Sequence, residues 1–440
     1  MIGYLLERMV LGAHHRTSWS VGSADIQVAR WNELSGGALL GTSLTMAEPC
    51  VALAAEDFLP YTHVWVYRQM FQGQRQPAVV LCRHRSEQAA FPFDPVVCSR
   101  PDPKWALAAK TRLWRVFRHL PSRLSSKNRH DFVDAIRHHR IELVHAHFAT
   151  MGVLLAPICR AEGIPLLVTF HGFDVTAAPR RWPAFAKQIS TMLGGGAHVA
   201  AITKEMAAVA VALGAEAERV HLSYLGVPVA QIPFVDRTGR DGPVGFLHAG
   251  RLTAKKGVPD LVRAFVRAFP RRGQAVLTIA GDGEETQKVR KAVEEARAAS
   301  EVRLLGRVTD AELTRLRIEA DVFVANCRTD EAGTREGLPI AILEAAATGL
   351  PVLSTRHAGI PEAVADDEGG LLVAERDEAA LVDALRRMTD ADARLRWGRE
   401  GRRRMEATFD LEKCNRRLWQ IYGDICATAN VHTLAPARTA

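Results

Sequence analysis

Short apolar runs alternate along most of the chain with segments whose apolar residues recur every three or four positions. This alternation predicts an α/β protein in which parallel strands are joined by crossover helices. The pattern becomes regular at Pro49. The predicted strands are CVALAAE, PAVVLCR, ELVHAHF, PLLVTF, AHVAAI and RVHLSYL in the first half, and VGFLHAG, VLTIAGDG, VRLLGRV, DVFVANC, PVLSTR and GLLVA in the second half.

A polar stretch with proline and glycine, at residues 232–243, interrupts this pattern and predicts a linker between two domains. We place the first domain at residues 46–235 and the second at residues 236–410. A helix is predicted at residues 411–426, and residues 427–440 are predicted to be a disordered tail.

Residues 1–45 show no sustained helical or strand period. We predict an extension that is either disordered or not translated, with Met46 as the first residue in the second case. The N-terminus lacks the basic, apolar and small-residue pattern of a signal peptide, and no run approaches the length of a membrane span. The seven cysteines are scattered without a C-x-x-C pair, as expected for reduced thiols in the cytoplasm.

The stretch at residues 335–361, REGLPIAILEAAATGLPVLSTRHAGIP, carries two glutamates, Glu336 and Glu344. Proline is favoured in the first turn of a helix, so a helix should begin near Leu338 to Pro339. Glu336 then lies just before the helix, and Glu344 lies about two turns along it. The free N–H groups and the positive end of the helix dipole form an anion site suited to a phosphate.

A carboxylate beside such a site does not bind the phosphate itself. Two carboxylates that flank it are suited to accept hydrogen bonds from hydroxyl groups on either side of a diphosphate, one set on a sugar and one on a ribose. The pattern therefore favours a nucleotide-sugar as the ligand. The alternative is that Glu336 caps the helix and that Glu344 is an ordinary solvated residue.

Two cations follow a predicted strand in the second half. In GRLTAKKG, at residues 250–257, Arg251 and Lys256 would emerge at the carboxyl end of the strand, where ligands bind in open α/β sheets. They are candidates for binding the diphosphate, and Lys255 is the neighbour that could be confused with Lys256. The alternative is a solvated pair of cations in a loop.

Three histidines lie near strand ends in the first half. His145 and His147 are two positions apart on a strand and project from one face, and His171 ends the strand PLLVTF. Three histidines raise the alternative of a zinc site, but no further ligand recurs at metal-site spacing. We favour packing and hydrogen bonding near a cleft, with His147 closer to it than His145. Asp174 is expected to order the loop after His171.

Two motifs of other enzyme classes occur in incomplete form. Gly281 and Gly283 supply a G-x-G, but Thr286 stands where a dinucleotide-binding loop has its third glycine, which disfavours hydride transfer. The D-x-D from Asp390 to Asp392 is predicted to begin a helix rather than to hold a metal ion.

With these stretches, the chain resembles the retaining GT-B glycosyltransferases of family 4, the group 1 transferases, which include bacterial exopolysaccharide enzymes. The matching motifs, in the order of the family, are HAHFA at 145–149, HGFDV at 171–175, GRLTAKKG at 250–257, IAGDGE at 279–284, LLGRV at 304–308 and EGLPIAILEA at 336–345. The resemblance implies a GT-B fold, in which two Rossmann-like parallel-sheet domains face a central cleft and the C-terminal helix crosses back to the first domain.

The resemblance also implies roles for individual residues. Glu336 would bind hydroxyls of the donor sugar, Glu344 the ribose, Arg251 and Lys256 the diphosphate, and His171 the reacting sugar without acting as a general base. The implied catalytic residues are His171, Glu336, Arg251 and Lys256. The implied donor-binding residues are Gly250, Arg251, Lys256, Gly281, Gly283, Arg307, Val308, Glu336, Gly337, Leu338, Pro339, Ile340 and Glu344. The implied acceptor-side residues are Pro60, Thr62, His147, Gly172 and Asp174.

The turn after the first strand departs from the family. It reads FLPYTHVWVYRQM and keeps Pro60 and Thr62 in position, but residues 63–66 do not follow the family pattern. This turn faces the acceptor in the family, so the resemblance does not identify the acceptor.

We therefore expect a bacterial, retaining and metal-independent glycosyltransferase that needs no cofactor. It would move a sugar from a UDP- or GDP-sugar to a lipid-linked glycan acceptor. This reaction would belong to the biosynthesis of exopolysaccharide or cell-surface polysaccharide. The alternative is a non-catalytic GT-B protein that binds a nucleotide-sugar as a sensor or as a partner subunit.

The formal net charge of +8 is concentrated in one segment. Residues 104–140 contain ten lysines and arginines against two aspartates, which accounts for the whole surplus. Apolar residues recur at three- to four-residue spacing from Trp105 to Leu120, as in a basic amphipathic helix that binds an anionic inner-membrane surface. The expected location is cytoplasmic and peripheral to that membrane. The alternative is a core-facing helix with solvated cations, and no recognition motif for nucleic acid accompanies the charge.

Overall fold

The structure is a computed structural model that describes residues 48–59, 64–73, 75–99, 124–240 and 242–434. These residues form one sheet of seven strands and one sheet of six strands. Every strand pairing within the two sheets is parallel. The predicted α/β class, with two parallel sheets, is therefore confirmed.

The strands of the first sheet are β1 (Val51–Phe58), β2 (Val79–Arg85), β3 (Val96–Cys98), β4 (Leu143–His147), β5 (Leu166–Phe170), β6 (His198–Ala201) and β7 (Val220–Leu222). Their order is β3-β2-β1-β4-β5-β6-β7, so the chain winds outward from β1 in one direction and then in the other. The apolar pattern does not predict β3, because a run of three half-buried residues is too short to show a period.

The helices of the first half are α1 (Val64–Phe71), α2 (Ser126–His138), α3 (Ala149–Glu162), α4 (Ala177–Arg181), α5 (Pro183–Gly194) and α6 (Lys204–Ala212). Side-chain caps fix the start of two of them. Ser125 Oγ accepts from the N–H of Asn128 at 3.2 Å, and Thr203 Oγ1 accepts from the N–H of Met206 at 3.0 Å.

The strands of the second sheet are β8 (Val244–Ala249), β9 (Ala275–Ala280), β10 (Val302–Gly306), β11 (Val322–Ala325), β12 (Val352–Thr355) and β13 (Gly370–Val373). Their order is β10-β9-β8-β11-β12-β13. The first strand of each half thus lies inside its sheet, and its carboxyl end borders a crevice where the winding direction reverses.

The helices of the second half are α7 (Val258–Ala268), α8 (Thr286–Glu295), α9 (Asp310–Glu319), α10 (Ile340–Ala347), α11 (Ile360–Ala363), α12 (Glu378–Arg387), α13 (Ala391–Thr408) and α14 (Leu411–Leu434). Helix α10 begins one residue after Pro339, close to the predicted start. Asp390 caps α13 by accepting from the N–H of Ala393 at 3.0 Å, which confirms that the D-x-D begins a helix.

The predicted linker lies between β7 and β8. Within it, Arg237 is buried and its guanidinium donates to three backbone carbonyls that belong to the second half: Ala320 at 2.8 Å, Arg317 at 2.9 Å and Thr348 at 3.2 Å. This part of the linker is therefore attached to the second half of the chain. The predicted domain limits stay a prediction.

Helix α14 returns to the first sheet. Leu418, Trp419 and Tyr422 lie in one apolar core with Leu53 of β1 and Val80 of β2. The predicted return of the last helix to the first half is confirmed.

The same helix extends further than predicted. It continues through residue 427 to Leu434, so the predicted disordered tail is wrong for residues 427–434. No proline or glycine follows Cys426 before Leu434, and alanines at this point favour a continued helix. The Thr428 hydroxyl donates to the carbonyl of Asp424 at 2.8 Å within that turn.

Several predictions fall on residues outside the described ranges. These are Pro60, Thr62, the extension at 1–45 and the apolar stripe from Trp105 to Leu120. In the described part of the chain, no helix combines the length and apolar character needed to cross a membrane.

Candidate active site

A cavity of about 370 Å³ is lined by residues from both halves of the chain. Nine of the predicted positions lie in its wall: His171 from the first half, and Gly250, Arg251, Lys256 and residues 336–340 from the second. His171 directly follows β5, and Gly250 directly follows β8. The full lining is Trp65, His171, Ile202, Leu225, Ala249, Gly250, Arg251, Thr253, Lys255, Lys256, Glu336, Gly337, Leu338, Pro339, Ile340 and Ala341.

Glu336 forms a buried ion pair in this wall. Its Oε1 lies 3.2 Å from Lys255 Nζ and 3.1 Å from Lys256 Nζ, and its side chain is 12% exposed. Burial alone would raise the pKa of Glu336, but the charges of Lys256 and Lys255 outweigh it and lower that pKa to about 2. Glu336 is therefore an anion at every physiological pH, and both lysines contact it.

The ion pair with Glu336 also shifts the pKa of Lys256. Burial would lower its pKa, but the charge of Glu336 outweighs that effect and raises the pKa to about 12. Arg251 differs, because its side chain is exposed at the cavity. Of the two predicted phosphate ligands, Arg251 can thus meet an incoming anion directly, whereas Lys256 is already bound to Glu336.

The first turn of α10 opens into the cavity. Pro339 is the N-cap, and the residues from Leu338 to Ala341 line the wall. The first N–H groups of a helix have no partner within that helix, so the turn offers donors to an anion. A diphosphate at this position would contact the helix terminus and the cations of the loop after β8.

The predicted glycines of the loop after β9 lie behind the wall and not in it. A Cβ on Gly281 would come within 1.9 Å of the Gly250 carbonyl oxygen, and a Cβ on Gly283 within 2.4 Å of the Leu252 carbonyl oxygen. Glycine is required here because two loops are in backbone contact. These residues support Gly250 and its neighbours, and they do not line the cavity.

Arg307 and Val308 also lie outside the cavity lining. They occupy the turn after β10, where Arg307 is exposed. The Gly306 carbonyl accepts from the N–H of Gly281 at 2.7 Å, which joins this turn to the one after β9.

An aromatic cluster forms the opposite side of the cavity. The ring of Trp65 on α1 lies 4.4 Å from the ring of His171. Behind it, Nδ1 of His147 lies 3.2 Å from Nε2 of His171, with the two rings nearly parallel. His147 thus contacts His171 and is separated from the cavity by it.

Asp174 holds the loop that carries His171. One carboxylate oxygen accepts from the N–H of His171 at 3.0 Å, and the other accepts from the N–H of Ala149 at 2.8 Å. Burial raises the pKa of Asp174 to about 6, although hydrogen bonds from the backbone act in the opposite direction. Next to His171, Gly172 has a φ of +119°, and a Cβ there would lie 3.0 Å from the Arg335 carbonyl oxygen. Its lack of a side chain allows the two halves to approach each other.

His145 is separate from the site. Its Nδ1 lies 2.6 Å from the Tyr422 hydroxyl and its Nε2 lies 2.7 Å from the Thr169 hydroxyl, and burial lowers its pKa to about 3. It therefore joins β4 to α14 as a neutral side chain. Across the described residues, no group of three or more His, Cys, Asp or Glu side chains is arranged to hold a metal ion.

Glu344 lies outside the cavity lining, between two arginines. Its Oε1 accepts from Arg68 on α1 at 2.8 Å, and its Oε2 accepts from Arg317 on α9 at 2.6 Å. The carboxylate is 14% exposed, so it is neither a helix cap nor a solvated residue. Arg68 belongs to the first half, and this pair therefore joins the two halves.

A second contact between the halves surrounds Glu362. Its carboxylate accepts from the N–H of Lys204, at the start of α6, at 2.8 and 3.1 Å, and from the Tyr224 hydroxyl at 2.7 Å. Arg335 forms an ion pair with Glu205 beside it. These contacts keep the loop with Glu336 close to the first half.

Three residues near the site were not identified from the sequence: Trp65, Arg68 and His357. His357 is fully buried, accepts from the N–H of Glu336 and contacts Glu375. Its position within the 335–361 stretch was a usable signal. Trp65 lies within residues 63–66, which depart from the family, and Arg68 follows them, so no motif marks either residue.

Comparisons with known proteins agree with this geometry. Residues 236–404 match the family described as glycosyl transferases group 1, and residues 78–231 match glycosyltransferase family 4. WcaL of Escherichia coli, named as a colanic acid biosynthesis glycosyltransferase, is 28% identical over 285 residues, which cover 63% of this chain and 70% of that protein.

Two further comparisons concern a relative and a solved structure. A GDP-mannose-dependent alpha-(1-6)-phosphatidylinositol monomannoside mannosyltransferase of Mycobacterium tuberculosis is 31% identical, over 61% of this chain and 72% of that protein. The crystal structure of Anabaena HepE in complex with UDP has a TM-score of 0.68 at 16% identity and covers 85% of this chain and 99% of that chain. This likeness confirms the predicted GT-B fold.

Proposed function

Because the chain belongs to the group 1 glycosyltransferases of family 4, we propose that it transfers a sugar from a nucleoside-diphosphate sugar to a glycan acceptor with retention of configuration. The observation that carries the proposal is the buried pair of Glu336 with Lys255 and Lys256, beside the N-terminus of α10 and across the cavity from His171. A carboxylate for hydroxyls and cations for a diphosphate are the two kinds of group that a nucleotide-sugar requires.

The proposed arrangement assigns the diphosphate to Arg251, Lys256 and the N–H groups at the start of α10. The bond between the anomeric carbon and the diphosphate breaks, and the acceptor oxygen forms the new bond on the same face. The acceptor proton passes to the departing diphosphate oxygen. The two cations and the helix terminus stabilise the charge on the leaving group, and no metal ion is assigned a role.

Glu336 is assigned to hydroxyls of the donor sugar and His171 to the reacting sugar. In the described state Glu336 is bound to lysines, so Lys256 would exchange the carboxylate for a phosphate when the donor binds. That exchange removes one of the two cations on Oε1 and lets the carboxylate accept hydrogen bonds from the sugar, while Lys255 stays beside it. Glu344 is assigned to the ribose, and its carboxylate would give up one of its two arginines to accept from ribose hydroxyls.

The relatives support the proposed donor class and acceptor. The UDP complex of HepE and the GDP-mannose dependence of the mycobacterial enzyme support a UDP- or GDP-sugar as donor. The name of WcaL supports a role in bacterial exopolysaccharide or cell-surface polysaccharide synthesis. The phosphatidylinositol monomannoside in the name of the mycobacterial enzyme supports a lipid-linked acceptor. We assign residues 104–140 to an anionic membrane surface on the cytoplasmic side, on the basis of their charge.

A two-step experiment tests the proposal. A thermal-shift screen against UDP- and GDP-sugars identifies the donor, since a ligand at about 100 times its Kd stabilises a protein by roughly 2.7 kcal/mol. Release of the nucleoside diphosphate is then measured with and without a lipid-linked acceptor. Transfer that requires acceptor supports the enzyme, whereas binding without release in the presence of suitable acceptors supports a sensor or partner subunit.

A further inference from the structure

The loop that carries Glu336 is held from behind by the buried side chain of His357. This histidine lies in the turn after β12 and is 0% exposed. Its Nε2 lies 3.0 Å from the backbone nitrogen of Glu336, and its Nδ1 lies 2.6 Å from Oε1 of Glu375. A backbone N–H can only donate, so Nε2 is the acceptor and Nδ1 carries the proton that is donated to Glu375.

The contact continues to a third loop. Oε2 of Glu375, which follows β13, accepts from the N–H of Thr329, which follows β11. The turns after β11, β12 and β13 are therefore joined through Glu375 and His357 to the backbone of Glu336. Thr329, His357 and Glu375 do not line the cavity, so they would affect a ligand only through the position of Glu336, which does.

We propose that His357 is a positioning residue for sugar transfer, which holds the Glu336 loop in place only while its imidazole is neutral. The proposal rests on the proposed function, because that function assigns the donor sugar to Glu336. A proton on Nε2 would turn the acceptor into a donor that faces the N–H of Glu336. The contact would then become repulsive, and the loop would have to move.

The charged groups around His357 decide where this change occurs. Burial lowers its pKa below the ordinary value of 6.5, Glu375 and Glu336 act to raise it, and Arg335 acts to lower it. Arg335 in turn is paired with Glu205 on α6. The neutral form therefore holds at pH 7, and the change to the cation falls on the acid side of 6.5.

Two substitutions separate the two contacts of His357. In His357→Asn the shorter amide can still donate to Glu375 but cannot reach Glu336. In His357→Gln the side-chain carbonyl reaches about as far as Nε2 and can accept from the N–H of Glu336 at any pH. His221→Asn is the control, because His221 is another histidine whose pKa burial lowers to about 4, and it contacts His198 in the first sheet.

Amide hydrogen exchange of the peptide that contains Glu336 is measured in the full-length protein, together with kcat and KM for donor turnover from about pH 5 to 8. We expect His357→Asn to speed exchange and to lower kcat/KM at pH 7 by about tenfold, as for one lost hydrogen bond. We expect His357→Gln to keep most of the activity at pH 7 and to show a shallower decline of kcat/KM at acid pH than the wild type, because protonation of Asp174, whose pKa is about 6, still contributes to that decline. His221→Asn should change neither measurement.

Unchanged exchange at Glu336 in a folded His357→Asn protein would overturn the proposal, and so would a decline at acid pH in His357→Gln that is as steep as in the wild type. The exchange measurement needs no catalysis. If the wild type turned over no donor, the proposed function would fail, while the exchange result would still decide whether His357 holds the loop.

Discussion

Replacement of Lys256 by methionine removes one of the two cations that contact Glu336 and keeps most of the side-chain volume. The pKa of Glu336 is lowered from 4.5 to about 2 although its burial acts to raise it, and a shift of one unit corresponds to about 1.36 kcal/mol. The net contribution of this group, after the cost of its burial, is therefore about 3 kcal/mol of stability at pH 7, and the attraction of the two lysines alone is larger. The raised pKa of Lys256 reports the same interaction and is not added.

The contribution of Glu336 to the stability of the folded protein depends on pH. The folded pKa of Glu336 lies below its unfolded value of 4.5, so the contribution is fully present above pH 4.5 and is lost as the pH falls toward about 2. Between pH 7 and pH 3.5 it should fall from about 3 to about 2 kcal/mol. Lys255 remains in the variant, but a buried charge that loses a partner typically costs 3–5 kcal/mol, so we expect Lys256→Met to lose about 3 kcal/mol at pH 7.

The assay is urea unfolding followed by circular dichroism, at pH 7 and at about pH 3.5. Arg315→Ala is the control, because Arg315 pairs with Glu319 at the surface and both side chains are more than half exposed, at 63% and 54%. Such a pair contributes at most about 1 kcal/mol. The reasoning is refuted if Lys256→Met is no more destabilising than Arg315→Ala at pH 7, or if its effect is larger at the acid pH.

Three further predictions concern ligands and the membrane. Glu344→Ala should weaken nucleoside diphosphate binding by about 1–3 kcal/mol in calorimetry, whereas Arg68→Ala, which frees one carboxylate oxygen of Glu344, should leave that binding unchanged or stronger; a loss in both variants would contradict this. Activity should persist in chelator, and a complete loss that manganese restores would argue against metal independence. The protein should bind anionic vesicles in a salt-sensitive way that is lost when the four arginines of residues 104–123 become glutamate, and equal partition to neutral and anionic vesicles would exclude the proposed membrane contact.

The strands could be predicted because parallel strands buried on both faces are continuous apolar runs. Val322–Ala325 and Gly370–Val373 show this, with every residue buried. The edge strand β3 is half-buried and too short for this signal. The predicted end of α14 at residue 426 is too early because the family resemblance stops near Tyr422, whereas the residues that follow still favour a helix.

The sequence predicts which residues of the site lie at the ends of strands and helices, but not the contacts between residues that are distant along the chain. The sequence places Glu336 before a helix and Lys256 after a strand, and the topology brings them to within 3.1 Å. It could not show that Glu344 is bound by Arg68, because 275 residues separate the two along the chain and the turn before Arg68 matches no family pattern. Ion pairs of this kind depend on how the two halves of the chain pack against each other, and no local sequence pattern predicts that packing.

In the structure, both carboxylates that we assign to donor binding are paired with cations. Glu336 contacts two lysines, and Glu344 contacts two arginines, one of them from the first half. A buried carboxylate without a partner would be costly, so these pairs offset the cost of burying both side chains. When a diphosphate binds as proposed, it supplies a new anion to Lys256 while the carboxylate turns to neutral hydroxyls. The number of ion pairs around Glu336 then stays nearly constant. Selectivity for a nucleotide-sugar over a bare diphosphate would come from the Glu336 carboxylate, which requires hydroxyl donors once Lys256 has moved to the phosphate.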